Sequence, residues 1–354
     1  MPGTDAAGPG TTTHPAAAWL DGALRVPRHV PLVAQVRSGM VESVHYGSYI
    51  AVDADGGTLR SAGDPGALYY PRSSLKPLQA VSMLRAGLDL PAPLLALAAA
   101  SHSGAAVHVD GAQEILARHG LDASAMANQP DLPYGTAERE AWLRAGGVPT
   151  VLAQNCSGKH AAMLATCALN GWPLAGYLEP HHPLQRLVHD VVEELAGERL
   201  THASTDGCGT PVYAVTLAGM ARAYAAIAGA APGSAEARVA AAMASFPENV
   251  AGEGRDVTAL MRAVPGLLAK DGFEGIQAVG LPDGRALVVK IADGGDRARM
   301  PITLELLRRL GVDAAALAGI ATAPVLGGGH PVGALVVLPH TNGPTAHLGE
   351  EHHD

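Results

Sequence analysis

Lysine is nearly absent from this chain. Four occur in 354 residues, Lys76, Lys159, Lys270 and Lys290, although lysine and arginine together number 24. The richness in Ala, Gly and Pro fits a genome whose codon bias favours Arg, so the shortage itself needs no functional cause. The survivors do need one. Arginine keeps its proton at any ordinary pH, whereas a desolvated lysine amine can become a neutral base or a metal ligand. Aromatic residues are also scarce, at 4%, so the core must be built mainly from Ala, Val and Leu. Basic tracts are missing, charged residues make up 16% and the net charge is −9. That balance argues against nucleic-acid and membrane-surface partners and for a soluble protein acting on a small molecule. Apolar runs are short; Leu90 to Ala100 comes closest to a membrane span and falls well below the length required. The three cysteines, Cys156, Cys167 and Cys208, are an odd number without the spacing of a disulfide scaffold, so a reduced, cytoplasmic setting is expected.

The organisation follows from the apolar periodicity. Residues 1–30 are rich in Gly, Thr, Ala and Pro without a basic start and apolar run, which reads as a disordered tail and not a secretion signal. Residues 339–354 read as a second flexible tail. Alternation predicts strands at Leu32–Val36, Val41–His45 and Ser48–Val52, a β-meander followed by the turn Asp53–Gly57. Helical spacing predicts helices at Lys76–Ala86, Ala112–His119, His160–Leu169, Leu184–Leu195 and Val215–Ala228. Strands return at Ile276–Gly280 and Ala286–Ile291, then a helix at Pro301–Leu310 and a closing strand at Val332–Leu338. The expectation is an α+β catalytic domain over 31–338. Its mixed, mainly antiparallel sheet is fed from both ends (about 31–72 and 256–338), around a helical insertion (about 73–255).

Three constellations carry chemistry. Ser73-x-x-Lys76 opens a helix with Pro77 in the first turn, where its missing N–H costs nothing. Spacing i,i+3 puts hydroxyl and amine on one face, with Cβ atoms about 5–6 Å apart, so a neutral lysine can take the serine proton. Plain N-capping by Ser73 or Ser74 explains the same residues. Ser101-His102-Ser103, at the end of the apolar run, suits a proton relay or substrate loop, or else a Ser N-cap and a surface His. Cys156-x-x-Lys159 with a distant Cys208 offers two thiols to a soft divalent metal such as zinc; buried cysteines packing as small hydrophobes is the competing reading. Lys270, entering a strand, can bind a carboxylate or depress a neighbouring amine's pKa, and Lys290 reads as structural, salt-bridged to Asp293.

Taken together, Arg72-Ser73-x-x-Lys76-Pro77, Ala100-Ser101-His102-Ser103, Asn155-Cys156-Ser157-Gly158-Lys159-His160, Thr205-Asp206-Gly207-Cys208 and Ala251-Gly252-Glu253-Gly254-Arg255 resemble one family. They are similar, in order and over roughly Val33 to Val337, to the class 3 (Rhizobium etli-type) L-asparaginases of the asparaginase II family. The resemblance implies a fold like serine β-lactamases and glutaminases, a homodimer, and two Ser–Lys tandems, Ser73 with Lys76 and Ser101 with Lys270. It also implies a Zn2+ site at Cys156, Lys159 and Cys208 that orients substrate or holds the pocket together. Arg72 and Asp206 stand nearby, with His102 and His160 as supporting hydrogen-bond partners. The expected reaction is hydrolysis of L-asparagine to L-aspartate and ammonia through an acyl-enzyme. The alternatives are a glutaminase or other small amidohydrolase, a penicillin-recognising Ser-x-x-Lys enzyme, and a non-catalytic zinc-dependent sensor or structural protein. Against the penicillin-recognising reading, no clean Ser-x-Asn or Lys-Thr-Gly pattern is present.

Overall fold

The β-branched and apolar segments at both ends of the chain meet in one sheet. In the computed structural model, which describes residues 25–320 and 322–339, this sheet has eight strands. They are β1 (Val30–Arg37), β2 (Met40–Val52), β3 (Thr58–Ala62), β4 (Leu268–Gly272), β5 (Ile276–Gly280), β6 (Ala286–Ile291), β7 (Val325–Gly327) and β8 (His330–Val337). The order is β7-β8-β1-β2-β6-β5-β4, with β3 also paired to β2, and each pairing is antiparallel. The α+β class and the sheet fed from both ends are as expected. Of the tails expected at residues 1–30 and 339–354, residues 1–24 and 340–354 fall outside the described residues, while Val30 already belongs to β1 and the chain can be followed to Pro339.

One expectation is corrected. The second and third strands of the presumed meander are a single strand, β2, which pairs with β1 up to Gly47 and with β6 from Gly47 onward. The two expected strands left Tyr46 and Gly47 as a gap; Gly47 is no gap. Instead it is the crossing point, where an added Cβ would lie 2.4 Å from the Lys290 carbonyl and 2.6 Å from a Leu32 methyl. Only a residue without a side chain lets the two halves of the sheet approach this closely.

From Gly47 to Val52 every residue of β2 is buried, as are the five residues of β5. Successive side chains point to opposite faces, so both faces of the sheet centre are covered. The helix Leu217–Ala228 packs on β5 and β6, as does Arg299–Arg309. The first begins two residues later than its periodicity suggests, because Val215–Thr216 pairs with Leu68–Tyr69 and the Thr216 side chain then caps the Gly219 N–H. The expected helix at Ala112–His119 is Ala106–Ala117; its start is hidden in sequence because His108, not a Ser or Asp, receives the Ala105 N–H. Among the described residues no helix is long and apolar enough to cross a membrane.

Candidate active site

The site is built where the edge strand β4 meets the start of the helix Lys76–Arg85. Arg72–Leu75 forms a 3-10 turn running into that helix, with Arg72 at φ +50°. A non-glycine residue in the left-handed region carries strain of order 1–3 kcal/mol, which the surroundings must hold in place. They do so from three directions. Ser74 Oγ donates to the Pro71 carbonyl at 2.7 Å, Tyr224 OH donates to the Ser74 carbonyl at 2.8 Å, and Gly272 of β4 lies against the turn. A Cβ on Gly272 would sit 2.7 Å from the Pro71 carbonyl. Neither serine caps the helix, which removes the capping explanation for the motif. Ser73 Oγ has no hydrogen-bond partner among the described residues and faces a pocket.

Lys76, Lys159 and Lys270 are each at most 1% exposed. Lys76 Nζ donates to the Ala100 carbonyl at 2.5 Å and to Ser101 Oγ at 2.9 Å, and no carboxylate pairs with it among the described residues. The amine placed by the i,i+3 argument against Ser73 is therefore hydrogen-bonded to Ser101. Lys270 does not bond Ser101 as the resemblance implied. It donates to the carbonyl of Asp271 at 2.8 Å and to its Oδ1 at 2.5 Å. Burial brings the Lys270 amine down to about 8 against the pull of Asp271, with the Lys76 charge assisting. Burial works to raise the Asp271 carboxyl, but the Lys270 and Arg255 charges outweigh it and hold the group far below the usual carboxylate range.

Ser73 and Ser101 open on the same pocket of about 290 Å3, which Tyr134, Asn155, Arg255, Asp271, Gly272, Phe273 and Asp296 also line. These residues, apart from the serines, were not foreseen as site residues. Arg255 closes one of the five motifs and Asp271 follows Lys270, so both were adjacent to a signal; Tyr134 and Asp296 lie in turns without one. Phe273 and Tyr134 meet edge-to-face at 6.0 Å, with the guanidinium groups of Arg72 and Arg255 over their rings at 5.7 and 4.8 Å.

The remaining expected residues stand behind the pocket. Arg72 Nε donates to Asp206 Oδ1 at 2.7 Å. His102 is buried, not a surface residue: its ring bonds Ser157 Oγ at 2.9 Å and stacks on His108 at 4.8 Å. Burial pushes His102 well below its ordinary range, helped by the His108 and Lys76 charges, so it stays neutral. Lys290 forms no ion pair with Asp293. Its amine donates to the Glu274 and Ile291 carbonyls, while Asp293 pairs with His45. The backbone oxygens of the neighbouring turn are nearer than the Asp293 carboxylate, which is turned toward the imidazole.

Cys156, Lys159 and Cys208 do come together. Lys159 Nζ lies 3.0 Å from Cys208 Sγ and 2.8 Å from Thr210 Oγ1. A hydrogen bond from Cys156, together with the Lys159 charge, holds the Cys208 thiol well below its usual range against the opposing effect of burial. The same bond and burial push Cys156 up. Burial lowers Lys159, but the two sulfurs outweigh it and raise the amine overall. His160 donates or accepts at Tyr177 OH through Nδ1 at 2.7 Å, and its buried Nε2 has no hydrogen bond. Among the described residues no three His, Cys, Asp or Glu side chains form a metal site. Two soft sulfurs, one already favouring the thiolate, plus an amine and an orphaned imidazole nitrogen nevertheless suit zinc, provided the lysine surrenders its proton.

An α+β protein with buried lysines and serines gathered behind one small pocket is the class these observations define. By sequence, the chain belongs to the L-asparaginase II family, matched over residues 33–337. That membership supports an amidohydrolase. No curated protein matches the chain. Among solved structures it is similar to a β-lactamase from Mycobacterium bovis at 17% identity, covering 75% of this chain and 95% of that one, TM-score 0.45. It is also similar to Mglu in its native form, at 14% identity over 75% of this chain and 61% of that one, TM-score 0.42. A third is EstCE1, a hydrolase with promiscuous acyltransferase activity, at 13% identity over 77% and 91%, TM-score 0.35.

Proposed function

We propose that this protein is a class 3 L-asparaginase that hydrolyses L-asparagine to L-aspartate and ammonia through a serine acyl-enzyme. The observation that carries the reading is the joint opening of Ser73 and Ser101 on one pocket, with the Lys76 amine hydrogen-bonded behind Ser101. Ser73 Oγ attacks the side-chain amide carbon and its proton passes to Lys76. The C–N bond then breaks, and ammonia leaves with a proton returned through Lys76 and Ser101. Water attacks the aspartyl ester by the same route in reverse and frees Ser73. The Ser74 N–H already donates to the Pro71 carbonyl at 3.1 Å, so the oxyanion falls to the N–H of Ser73 in the 3-10 turn before the helix. Lys270, whose amine burial and the nearby Lys76 bring down to about 8, stands beside the relay as a second amine able to give up its proton.

Cys156, Cys208 and Lys159 would hold zinc, with Asp206 and His160 close by. None of the three ligands lines the pocket, so the metal's role in this reading is to tie the two cysteine segments together behind it. The protein is read as a cytoplasmic homodimer with reduced thiols; its described cysteines are all free and buried. A specific observation favours Ser101 as an alternative nucleophile, namely its formed bond to Lys76. Acid quench during turnover of L-aspartic β-hydroxamate, followed by peptide mass mapping, decides the matter. An aspartyl group on Ser73 supports the reading, one on Ser101 exchanges the serines' roles, and no covalent adduct with no hydroxylamine release overturns it.

A further inference from the structure

The charges that surround the pocket are not equally free. Arg72 and Asp206 satisfy each other, and Lys270 is held by Asp271. Arg255 differs. Its Nη2 donates to Asp271 Oδ2 at 2.7 Å and the Tyr134 ring lies 4.8 Å from its guanidinium carbon, so two neighbours fix the plane of the fork. Its Nη1 is buried and has no hydrogen-bond partner among the described residues. A buried guanidinium N–H without an acceptor is costly, and an anion entering from the pocket removes that cost. Asp296, on the same pocket, has the complementary vacancy. Its carboxylate, 64% exposed, approaches only Arg299 Nε, at 3.6 Å and beyond hydrogen-bond reach, while Arg299 bonds Asp256 and Gln277 through its other two nitrogens. One cationic and one anionic group with bonding capacity to spare thus line the same pocket as both serines.

We infer that Arg255 and Asp296 form a subsite for the α-carboxylate and α-ammonium of a free α-amino acid, leaving its side-chain amide to the serines. The inference rests on the reading of this pocket as an amidohydrolase site and adds the two residues that hold the charged ends of its substrate. Peptide-bound asparagine and amides lacking either charge are disfavoured. Tyr134, exposed over Arg255, forms one wall of this subsite. Phe273, packed against Tyr134 at the mouth, limits the length of what lies below.

The test compares L-asparagine with two truncated amides. β-Alaninamide is asparagine without its α-carboxylate, and succinamate is asparagine without its α-amino group. Wild type should prefer asparagine over each by about 10- to 100-fold in kcat/KM, the range for a charge-assisted hydrogen bond. Arg255→Gln should raise KM for asparagine by a similar factor and leave β-alaninamide turnover nearly unchanged; Asp296→Asn should do the same with succinamate as the indifferent substrate. An equal loss on asparagine and β-alaninamide in Arg255→Gln would mean that the residue only positions Asp271 and Tyr134, and the inference fails. If Arg255→Gln does not fold, as judged by circular dichroism, Arg255→Lys takes its place, since it retains a charge beside Asp271 but loses the planar fork. Calorimetric titration of L-aspartate separates this inference from the proposed reaction. Should wild type release no ammonia from asparagine yet bind L-aspartate through Arg255, the hydrolytic reading falls and the subsite stands. Absence of binding, or equal binding by wild type and variant, overturns the subsite.

Discussion

Lys76→Met is the sharpest perturbation the geometry offers. Methionine nearly matches the lysine stem in length and volume, so the packing around the helix Lys76–Arg85 is kept while the amine is removed. Two acceptors lose their donor, the Ala100 carbonyl and Ser101 Oγ. Leaving buried oxygens unpaired costs about 1–3 kcal/mol each, and a serine hydroxyl can rotate to find another partner. Against that loss stands the relief of no longer burying a polar amine, so the melting temperature should move by only about 5 °C in either direction. Activity should behave differently. A positioned general base is worth about 10²- to 10⁴-fold, so ammonia release should fall by at least about 10³-fold if Lys76 serves both the attack and the departure of ammonia. Ser101→Ala leaves the amine on the Ala100 carbonyl and removes one relay oxygen, for which about 10- to 100-fold is expected. Since Ser101 acts through Lys76, the double variant should lose little more than Lys76→Met alone. Coupled-enzyme detection of ammonia and scanning calorimetry on the four proteins suffice. Lys76→Met within tenfold of wild type, or single losses that simply multiply, would refute the assignment of Lys76 as the shared base.

Three further outcomes are expected. Lys270 titrates at about 8 when folded and near 10.4 when unfolded, so the unfolded chain binds more protons between those values and stability should rise with pH across that window. Lys270→Met should flatten the rise, as read from urea midpoints at pH 7.5, 9 and 10.5 (about one midpoint per regime). Gly272→Ala should push the turn before Ser73 away from β4, costing about 1–3 kcal/mol and most of the activity, whereas alanine at the open position Gly311, where φ is +87°, should cost stability alone. Protein purified without chelator should carry close to one zinc per chain by elemental analysis; Cys208→Ser should abolish it and lower the melting temperature, and an equally metal-free wild type would dismiss the zinc site.

Residue types that chemistry demands were legible before any fold was known. In an Arg-rich chain, Lys76, Lys159 and Lys270 stood out because arginine cannot replace an amine, and all three prove buried. Their partners were not legible. The i,i+3 rule describes one helical turn, yet a buried amine takes whatever acceptors surround it, and for Lys76 these come from a segment some 25 residues onward. Lys270 and Asp271 alternate across β4, and alternation alone would set them on opposite faces; the flexible lysine stem carries Nζ around to the carboxylate. Arg255 and Asp296 escaped notice for a similar reason, because a lone charge in a turn gains meaning only from the cavity it faces. Of the fold, the strands at both ends were readable from alternation, while β2 was split in two because a glycine at a crossing looks the same as a glycine at a turn.

The pairing of Val33 with Val337 has a consequence for how the molecule is made. During synthesis β1 and β2 emerge early and must wait for β6, and then β8, with their central edges unmet. Such distant pairings are slow and leave hydrogen-bonding edges open to wrong neighbours. The catalytic pocket shares that delay, since Ser73 emerges long before the strand bearing Lys270. A nascent chain stalled within the helical insertion would therefore be inert, and would depend on chaperones to stay soluble until its last strands arrive.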